Sequence, residues 1–571
     1  MIYDLRFTIY DWGFTIYDLD LRYMKYKCFL PIILLLCTVF VSCEDFLDKQ
    51  PDNRVEWNTP EQISDLLVSA YSTANPALIC ELSSDNFVDN NSPDDKGIYY
   101  NLAPWQRFHD EVYAWKDIVS AGQDQDTPSY VWDGYYHAIA VANNALEAVA
   151  KFEREGRANE VSAQKGEALL CRAFNHFMLV NIFAKAYRDS ELSKQDVGIP
   201  YVTEPETKVF VDYERLSVAK VYELIQKDLE EGIALIQDNY NVPKYHFNTK
   251  AANAFATRFY LFTRNYDKVI EHATKVLGSA PLEMMRNWDA DTPTAESIGF
   301  WYINVKSNNN LLLVPTGSWM SRVFNTRYGC AREAGTATVF GPGPTWSNYN
   351  FHPCYSGRLY YRYDQEWGLI FMKTYEFFEY TDKIAGIGFG HIVRAEFTAE
   401  EVLLSRAEAY VYKNQIADAV ADLKVFDDSR KITSGGNKIP APLLTEALIR
   451  SFYTANRPLF SYPFNNEKMS PSFVYPANSK PILDCIIHFR RLETIFDGMR
   501  FFDIKRYGIE ITHKIGISEV SKLTWDDPRR ALQLPPEVIA AGMNPNERYQ
   551  GSKNQNTSMQ GVFPANLSYE Q

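Results

Sequence analysis

Large aromatic side chains in polar surroundings are the residues of this chain best suited to recognising an uncharged molecule. Tryptophan and tyrosine rings stack on the apolar C–H faces of sugar rings, while neighbouring amides and carboxylates bond the hydroxyl groups. The chain holds 37 Tyr, 35 Phe and 11 Trp. Because large aromatic side chains also pack in protein cores, any one of these residues could be a core residue instead of a ligand contact. The predicted ligand surface consists of Trp105, Trp115, Trp319, Trp346 and Tyr349, with Asn101 and Asp117 as hydroxyl partners.

Motifs for metal, nucleotide or nucleophilic chemistry are poorly represented. The nine histidines form no HxH or HExxH spacing, and Asp124 with Asp126 falls far short of a calcium loop. The glycine run Gly386–Gly390 lacks a strand–helix frame, so we interpret it as a turn. No catalytic residue, metal site or cofactor is predicted. A carboxylate pair for glycoside hydrolysis stays open as an alternative, because the 72 acidic residues offer many pairs and no motif identifies one of them.

Cys43 carries a second kind of chemistry. Lys25 and Lys27 precede the uncharged run Cys28–Val41, and Ser42 stands before Cys43. This order is typical of a lipoprotein signal peptide, so residues 24–42 are predicted to be removed and Cys43 to be acylated. An ordinary signal peptide or a short membrane anchor are the alternatives. Residues 1–23 repeat FTIYD ahead of Met24 and are interpreted as a mis-called extension.

Composition narrows the class of partner. The formal charge is −14, and residues 1–42 hold four acidic and four basic side chains, so the chain from Cys43 onward keeps all of it. An acidic protein does not suit nucleic acid. The five cysteines left after Cys43 contain no CxxC pair and are not a disulfide framework. Pairing of Cys330 with Cys354 stays open.

Helical hairpins form the predicted scaffold. Apolar residues recur at steps of three and four after Ser217, and two related hairpins turn at Arg264-Asn265 and at Asn414. An arginine occupies the fifth position of three similar first helices, ALLCRAF, AFATRFY and VLLSRAE. We predict that Arg172, Arg258 and Arg406 are structural and that losing one costs about 1–3 kcal/mol. Long loop-rich insertions, about 80–131 and 280–400, should present the ligand surface.

Several segments of the chain, taken in their order along the sequence, resemble the SusD/RagB family of surface nutrient-binding lipoproteins. The resemblance runs from Cys43 to about Asn546, although Phe489-Arg490 replaces the usual Glu-Arg and the tail after Asn546 departs from the common ending. The matching segments are Cys43–Pro51, Trp132–Glu147, Gly166–Val180, Gly198–Pro205, Arg215–Glu230, Val402–Leu423, Arg490–Gly508, Leu532–Val538 and Asn544–Asn546.

This resemblance implies both a fold and a role. The expected fold is mainly α, with tetratricopeptide-like helical hairpins and a large irregular loop-rich subdomain over residues 43–571. The expected role is a non-enzymatic, palmitoylated lipoprotein facing outward from the outer membrane. It would bind glycans and pass them to a SusC-like TonB-dependent transporter, without contacting nucleic acid. A peptide-binding relative on the same scaffold and a secreted glycosidase are the alternatives.

Overall fold

The computed structural model divides the chain into two units, residues 1–56 and 57–571. It describes residues 57–120, 122–205, 213–288, 294–347, 360–364, 368–430, 442–455 and 460–548. The first unit, which includes Cys43, lies outside the described residues. The predicted boundaries at residues 23, 42 and 43 therefore stay predictions.

Helices dominate the described chain, which confirms the mainly α prediction. The helices are α1 Pro60–Leu67, α2 Ala77–Leu82, α3 Phe108–Tyr113, α4 Pro128–Arg154, α5 Ser162–Phe183, α6 Val218–Leu235, α7 Thr249–Thr263, α8 Tyr266–Leu277, α9 Ala295–Tyr302, α10 Arg332–Thr336, α11 Ala399–Tyr412, α12 Ile416–Ser429, α13 Glu446–Ala455, α14 Asn466–Met469, α15 Lys480–Glu493, α16 Met499–Tyr507 and α17 Pro536–Ala540. The strands are β1 Val88–Asp89, β2 Asn310–Thr316, β3 Tyr328–Gly329, β4 Tyr360–Asp364, β5 Gly368–Phe371, β6 Phe377–Asp382, β7 Ile387–Thr398, β8 Ile511–Ile515 and β9 Glu519–Leu523.

Local capping residues set the ends of the hairpin helices. The Asn248 side chain caps α7, which ends where Arg264 adopts a left-handed φ of 63°, and Asn265 caps α8. Thr398 caps α11, and Asn414, with φ of 59°, turns the chain into α12. Both predicted hairpin turns are confirmed.

Close helix contacts hold the α4, α5 and α6 layer together. Gly166 on α5 faces Gly232 on α6, and a Cβ at Gly232 would lie 3.0 Å from the Gly166 carbonyl oxygen. A Cβ at Gly166 would approach the α6 end within 2.8 Å of the Ile236 nitrogen. Small residues at this crossing allow the two backbones to approach more closely than larger side chains would permit.

The three arginines predicted to be structural are buried and bonded to carboxylates. The pairs are Arg172 with Asp228, Arg258 with Glu396 and Glu401, and Arg406 with Asp422, at N···O distances of 2.7 to 3.0 Å. Arg172 joins α5 to α6 and Arg406 joins α11 to α12, whereas Arg258 joins α7 to the next hairpin. Their structural role is confirmed, and each guanidinium fixes the spacing of two elements.

A three-stranded sheet in the order β2-β7-β6 lies within the middle insertion. The second half of β7 pairs with β2, and its first half pairs with β6, which forms a two-stranded arm. The predicted turn at Gly386–Gly390 is correct only for Gly386, because Gly388 and Gly390 lie within β7. Five large apolar side chains of the arm are exposed: Phe378, Tyr380, Ile384, Ile387 and Phe389.

Four cysteines of the described chain are buried free thiols: Cys80, Cys171, Cys330 and Cys485. Cys354, the partner considered for Cys330, lies outside the described residues. Among the described helices, none is both long and apolar enough to span a bilayer.

Candidate ligand-binding surface

Two loop-rich segments, far apart in sequence, meet beside β1 and β3. The two short strands pair antiparallel, with Val88 opposite Gly329. The Asn90 amide donates to the Arg327 carbonyl at 2.7 Å, and the Arg327 amide donates to the Ala103 carbonyl at 3.0 Å. Backbone bonds of this kind fix the early segment on the middle segment, as the prediction of a shared surface requires.

Arg332 holds the early segment by bonding its backbone carbonyl oxygens. Its guanidinium donates to the carbonyl oxygens of Ser92 at 2.5 Å and Asn90 at 3.0 Å, and lies 5.1 Å from the centre of the Tyr100 ring. Its backbone φ is 47°, a left-handed conformation that costs a non-glycine residue about 1 kcal/mol or more. The surrounding bonds offset that cost and hold the loop in one position.

The loop held by Arg332 exposes aromatic and amide side chains, which are together called the loop face here. Asp94 shapes its start, because one carboxylate oxygen accepts from the amides of Lys96 and Ile98 at 2.8 Å each. Tyr99 is 51% exposed and Trp105 is 42% exposed. Half-exposed rings on a fixed backbone offer stacking area at little entropic cost. The loop face consists of Ile98, Tyr99, Tyr100, Asn101 and Trp105.

A cavity of about 380 Å³ lies between the residues that precede the loop face, such as Pro93 and Asp95, and the β8–β9 hairpin. No residue of the loop face lines it, but Arg332 lines it and also contacts Tyr100. Several of its charged groups are held in ion pairs. Asp89 accepts a forked contact from Arg327 at 2.7 to 3.1 Å, and Lys514 lies 3.2 Å from Glu333. A cavity whose charged groups are largely engaged suits an uncharged ligand with hydroxyl groups. Its lining includes Asp89, Ser92, Pro93, Asp95, Arg332 and Lys514.

The predicted surface residues do not all come together. Asn101 and Trp105 lie exposed on the loop face. Trp319 is half-buried on the middle segment, where its backbone amide donates to Asp126 at 2.6 Å. Trp346 is half-buried at another place, with its indole N–H bonded to the Gly341 carbonyl at 3.0 Å and its ring 5.8 Å from Phe489 of α15. Tyr349 lies outside the described residues.

Trp115 lies in the core, contrary to its predicted place on the ligand surface. Only 3% of it is exposed, its indole N–H donates to the Ser83 carbonyl at 3.1 Å, and its ring stacks on His513 at 4.1 Å. His513 also stacks on Tyr113 at 4.1 Å. With its ring covered and its N–H bonded, Trp115 has no free face for a sugar and is not part of the ligand surface.

Asp117 also lies apart from the loop face. Its carboxylate accepts from Arg548 at 3.0 Å and Gln533 at 3.2 Å, on the rim of a different cavity of about 960 Å³ near the end of the described chain. That cavity shares no lining residue with the one beside the loop face. Asp117 is therefore engaged by cationic and amide side chains rather than by the loop face.

Tyr99, Tyr100 and Arg332 were missed by sequence reasoning. The adjacent tyrosines lie in a stretch of Asp, Asn and Gly, a composition that indicates an exposed loop. Arg332 carried none, because its partners are backbone carbonyls about 240 positions earlier.

Comparison with known proteins agrees with this architecture. Residues 45–261 match the SusD-like family described as "Starch-binding associating with outer membrane". Over this range the chain is similar to the SusD/RagB family, as the sequence resemblance implied. A curated relative of this family, the SusD-like protein P38 of Formosa agariphila, is 23% identical over 273 residues, 45% of this chain. The match spans about half of that relative, 46% of its length.

Solved SusD superfamily structures share the fold of this chain. One from Bacteroides fragilis is 18% identical with a TM-score of 0.53, covering 85% of this chain and 99% of its own. One from Bacteroides thetaiotaomicron is 18% identical with a TM-score of 0.52, and the match covers 86% of this chain and 100% of that one. At this identity the likeness shows the helical architecture.

Proposed function

We propose that this SusD-like protein binds neutral oligosaccharides at the loop face. The observation that carries the proposal is the pair of half-exposed rings, Tyr99 and Trp105, on a loop that Arg332 and the β1–β3 pairing hold in place. Asn101 lies exposed between the two rings in sequence and supplies an amide for hydroxyl groups. We also propose Trp319, half-buried on the middle segment, as a ligand contact.

The ligand is held by stacking rather than by charge. Asp89, Lys514 and Glu333 around the neighbouring cavity already have ion-pair partners, so a ligand charge that bound them would have to break existing pairs. A few aromatic contacts dominate the affinity of such a surface, each contributing on the order of 1 kcal/mol or more. Binding should therefore depend weakly on salt.

A double substitution tests the loop face. We expect Tyr99→Ala with Trp105→Ala to weaken binding at least about tenfold, because two stacking contacts are removed. The measurement is calorimetric titration against maltoheptaose, laminarihexaose, cellohexaose and xylohexaose. Tyr380→Ala is the matched control, since Tyr380 on the β6–β7 arm is 53% exposed, as Tyr99 is 51% exposed. Equal affinity in the double variant and the wild type would contradict the assignment.

The same panel distinguishes the alternative functions. We propose that the protein does not hydrolyse its ligand, so the oligosaccharides should be recovered intact after long incubation. Shortened products would make it a glycosidase. Retention of a peptide library with no oligosaccharide bound would favour a peptide-binding relative.

Lipid attachment at Cys43 would place this surface outside the cell. We propose that the protein is anchored in the outer membrane, faces the exterior and hands its ligand to a SusC-like TonB-dependent transporter. The sequence around Cys43 supports the anchor, and the outer-membrane association of the matched family supports the location.

Substitution of the acylated residue tests the anchor. Cys43→Ala should abolish incorporation of a palmitate analogue and release the protein or leave it unprocessed, because no other thiol stands at the cleavage position. Ser42→Ala is the matched control and should keep the label. Label on the Cys43→Ala protein would show that the lipid is attached elsewhere.

A further inference from the structure

A buried carboxylate, Asp126, lies where the early and middle segments meet. It precedes α4, is 1% exposed and has a left-handed φ of 64°. One carboxylate oxygen accepts from the Ser318 hydroxyl at 2.7 Å, and the other accepts from the Trp319 amide at 2.6 Å. Asp126 thus joins the entry to α4 to the segment that carries Trp319.

The donors around this carboxylate match its ionised form. The Ser318 oxygen already accepts from Asn75 at 3.0 Å and from the Met320 amide at 3.2 Å, so its own hydrogen is directed at Asp126. An ionised carboxylate accepts both bonds, whereas a carboxylic acid keeps one full acceptor and gains a donor. Protonation therefore leaves either Ser318 or Trp319 without a proper acceptor.

Burial opposes ionisation of the Asp126 carboxyl group. Burial raises the pKa of Asp126 to about 7, while the bonds from Ser318 and Trp319 and the charge of Arg394 on β7 act in the opposite direction. Arg394 is itself paired with Glu396 at 2.9 Å. Among the described side chains, no group of three or more His, Cys, Asp or Glu is placed to hold a metal ion, so proton binding is the event to consider.

We propose that Asp126 is a proton-controlled clamp that sets the position of Trp319. In the ionised state it holds both Ser318 and the Trp319 amide, and in the protonated state it releases one of them. Acidification then loosens Trp319 from its place beside the early segment. Any effect on oligosaccharide affinity rests on the function proposed above, whereas the movement of Trp319 does not.

Fluorine NMR of protein labelled with 5-fluorotryptophan tests the clamp without a ligand. The chain has 11 tryptophans, and loss of a signal in Trp319→Phe identifies the resonance of Trp319. We expect that resonance to shift between pH 5.5 and 8.5 with one midpoint close to neutrality. The Trp105 resonance, assigned in the same way, is the internal control and should stay in place.

Two variants decide the mechanism. Asp126→Asn should fix the Trp319 resonance across this pH range, because the amide has no proton to lose. Ser318→Ala should move the midpoint to higher pH, because the ionised form loses a donor. A Trp319 resonance that is constant in the wild type, that titrates equally in Asp126→Asn, or whose midpoint is unchanged in Ser318→Ala overturns the proposal. If the resonance titrates as expected but no oligosaccharide binds, the clamp stands and the ligand assignment fails.

The sign of the stability effect follows from the same pKa. Folding raises the pKa of Asp126 above the value of an unfolded aspartate, which is about 3.9. Protonation of Asp126 therefore adds to the free energy of unfolding in full below a pH of about 3.9, and this contribution is lost as the pH rises through about 7. The free energy of unfolding of Asp126→Asn should lack this decline. Identical pH profiles of unfolding in the two proteins would overturn the titration of Asp126.

Discussion

Arg258→Ala is expected to lower the free energy of unfolding by about 3–5 kcal/mol, which is the range for breaking one side of a buried ion pair. The sequence alone indicated a smaller cost, but the structure adds two features. The guanidinium is 3% exposed and serves two carboxylates, Glu401 at 2.7 Å and Glu396 at 3.0 Å. It also lies 4.3 Å from the centre of the Phe397 ring.

The cost arises mainly from the carboxylates left behind. Glu396 keeps Arg394 as a partner at 2.9 Å, whereas Glu401 loses its forked contact with Arg258. Chemical denaturation monitored by circular dichroism measures the change. Arg157→Ala is the control, because Arg157 lies just beyond the C-terminal end of α4 and makes two exposed ion pairs, with Glu155 and Glu160, so this variant should unfold like the wild type. A variant of Arg258 as stable as that control would show that α7 and α11 do not need this link.

Trp115→Ala should destabilise the protein by about 3–5 kcal/mol, the usual cost of truncating a buried tryptophan. The substitution removes the ring stacked on His513 and leaves the Ser83 carbonyl without its indole donor. Under conditions in which the variant is folded, affinity for the panel oligosaccharides should equal that of the wild type. Thermal unfolding and calorimetric titration on the same samples measure the two effects.

Trp105→Ala is the matched comparison for Trp115→Ala and should behave in the opposite way. Its ring is 42% exposed, so its loss should leave the unfolding transition nearly unchanged and reduce affinity. If Trp115→Ala instead lost affinity with its unfolding transition intact, the ring at position 115 would be a ligand contact and its buried position would be wrong.

The hairpin scaffold could be predicted because its determinants are local. Apolar spacing defines α6 to α8, and Ser217, Asn248 and Asn265 cap their helices within three residues of the amides they bond. The turn residues Arg264 and Asn414 stand between two periodic segments. The structural arginines were recognisable for the same reason, since each repeats one position of a similar helix.

The ligand surface was less predictable because its determinants are distant in sequence. Trp105 and Trp115 lie in the same polar segment, yet only Trp115 is covered, by a histidine 398 positions later in the β8–β9 hairpin. Asp117 is likewise bonded to Gln533 and Arg548. Periodicity and composition describe a residue's neighbours in sequence, so they do not distinguish a ring that faces solvent from one that a remote loop covers.

The β6–β7 arm has a consequence for how the purified protein behaves. Ile384 at its tip is 100% exposed and Ile387 is 60% exposed, on a ribbon with strand geometry. Such ribbons attract the strands of other molecules, and charged side chains at the edge oppose that contact. Here Glu379, Asp382 and Lys383 are the charges available. Colloidal stability at high concentration should therefore depend on these few positions more than on the net charge of the whole chain.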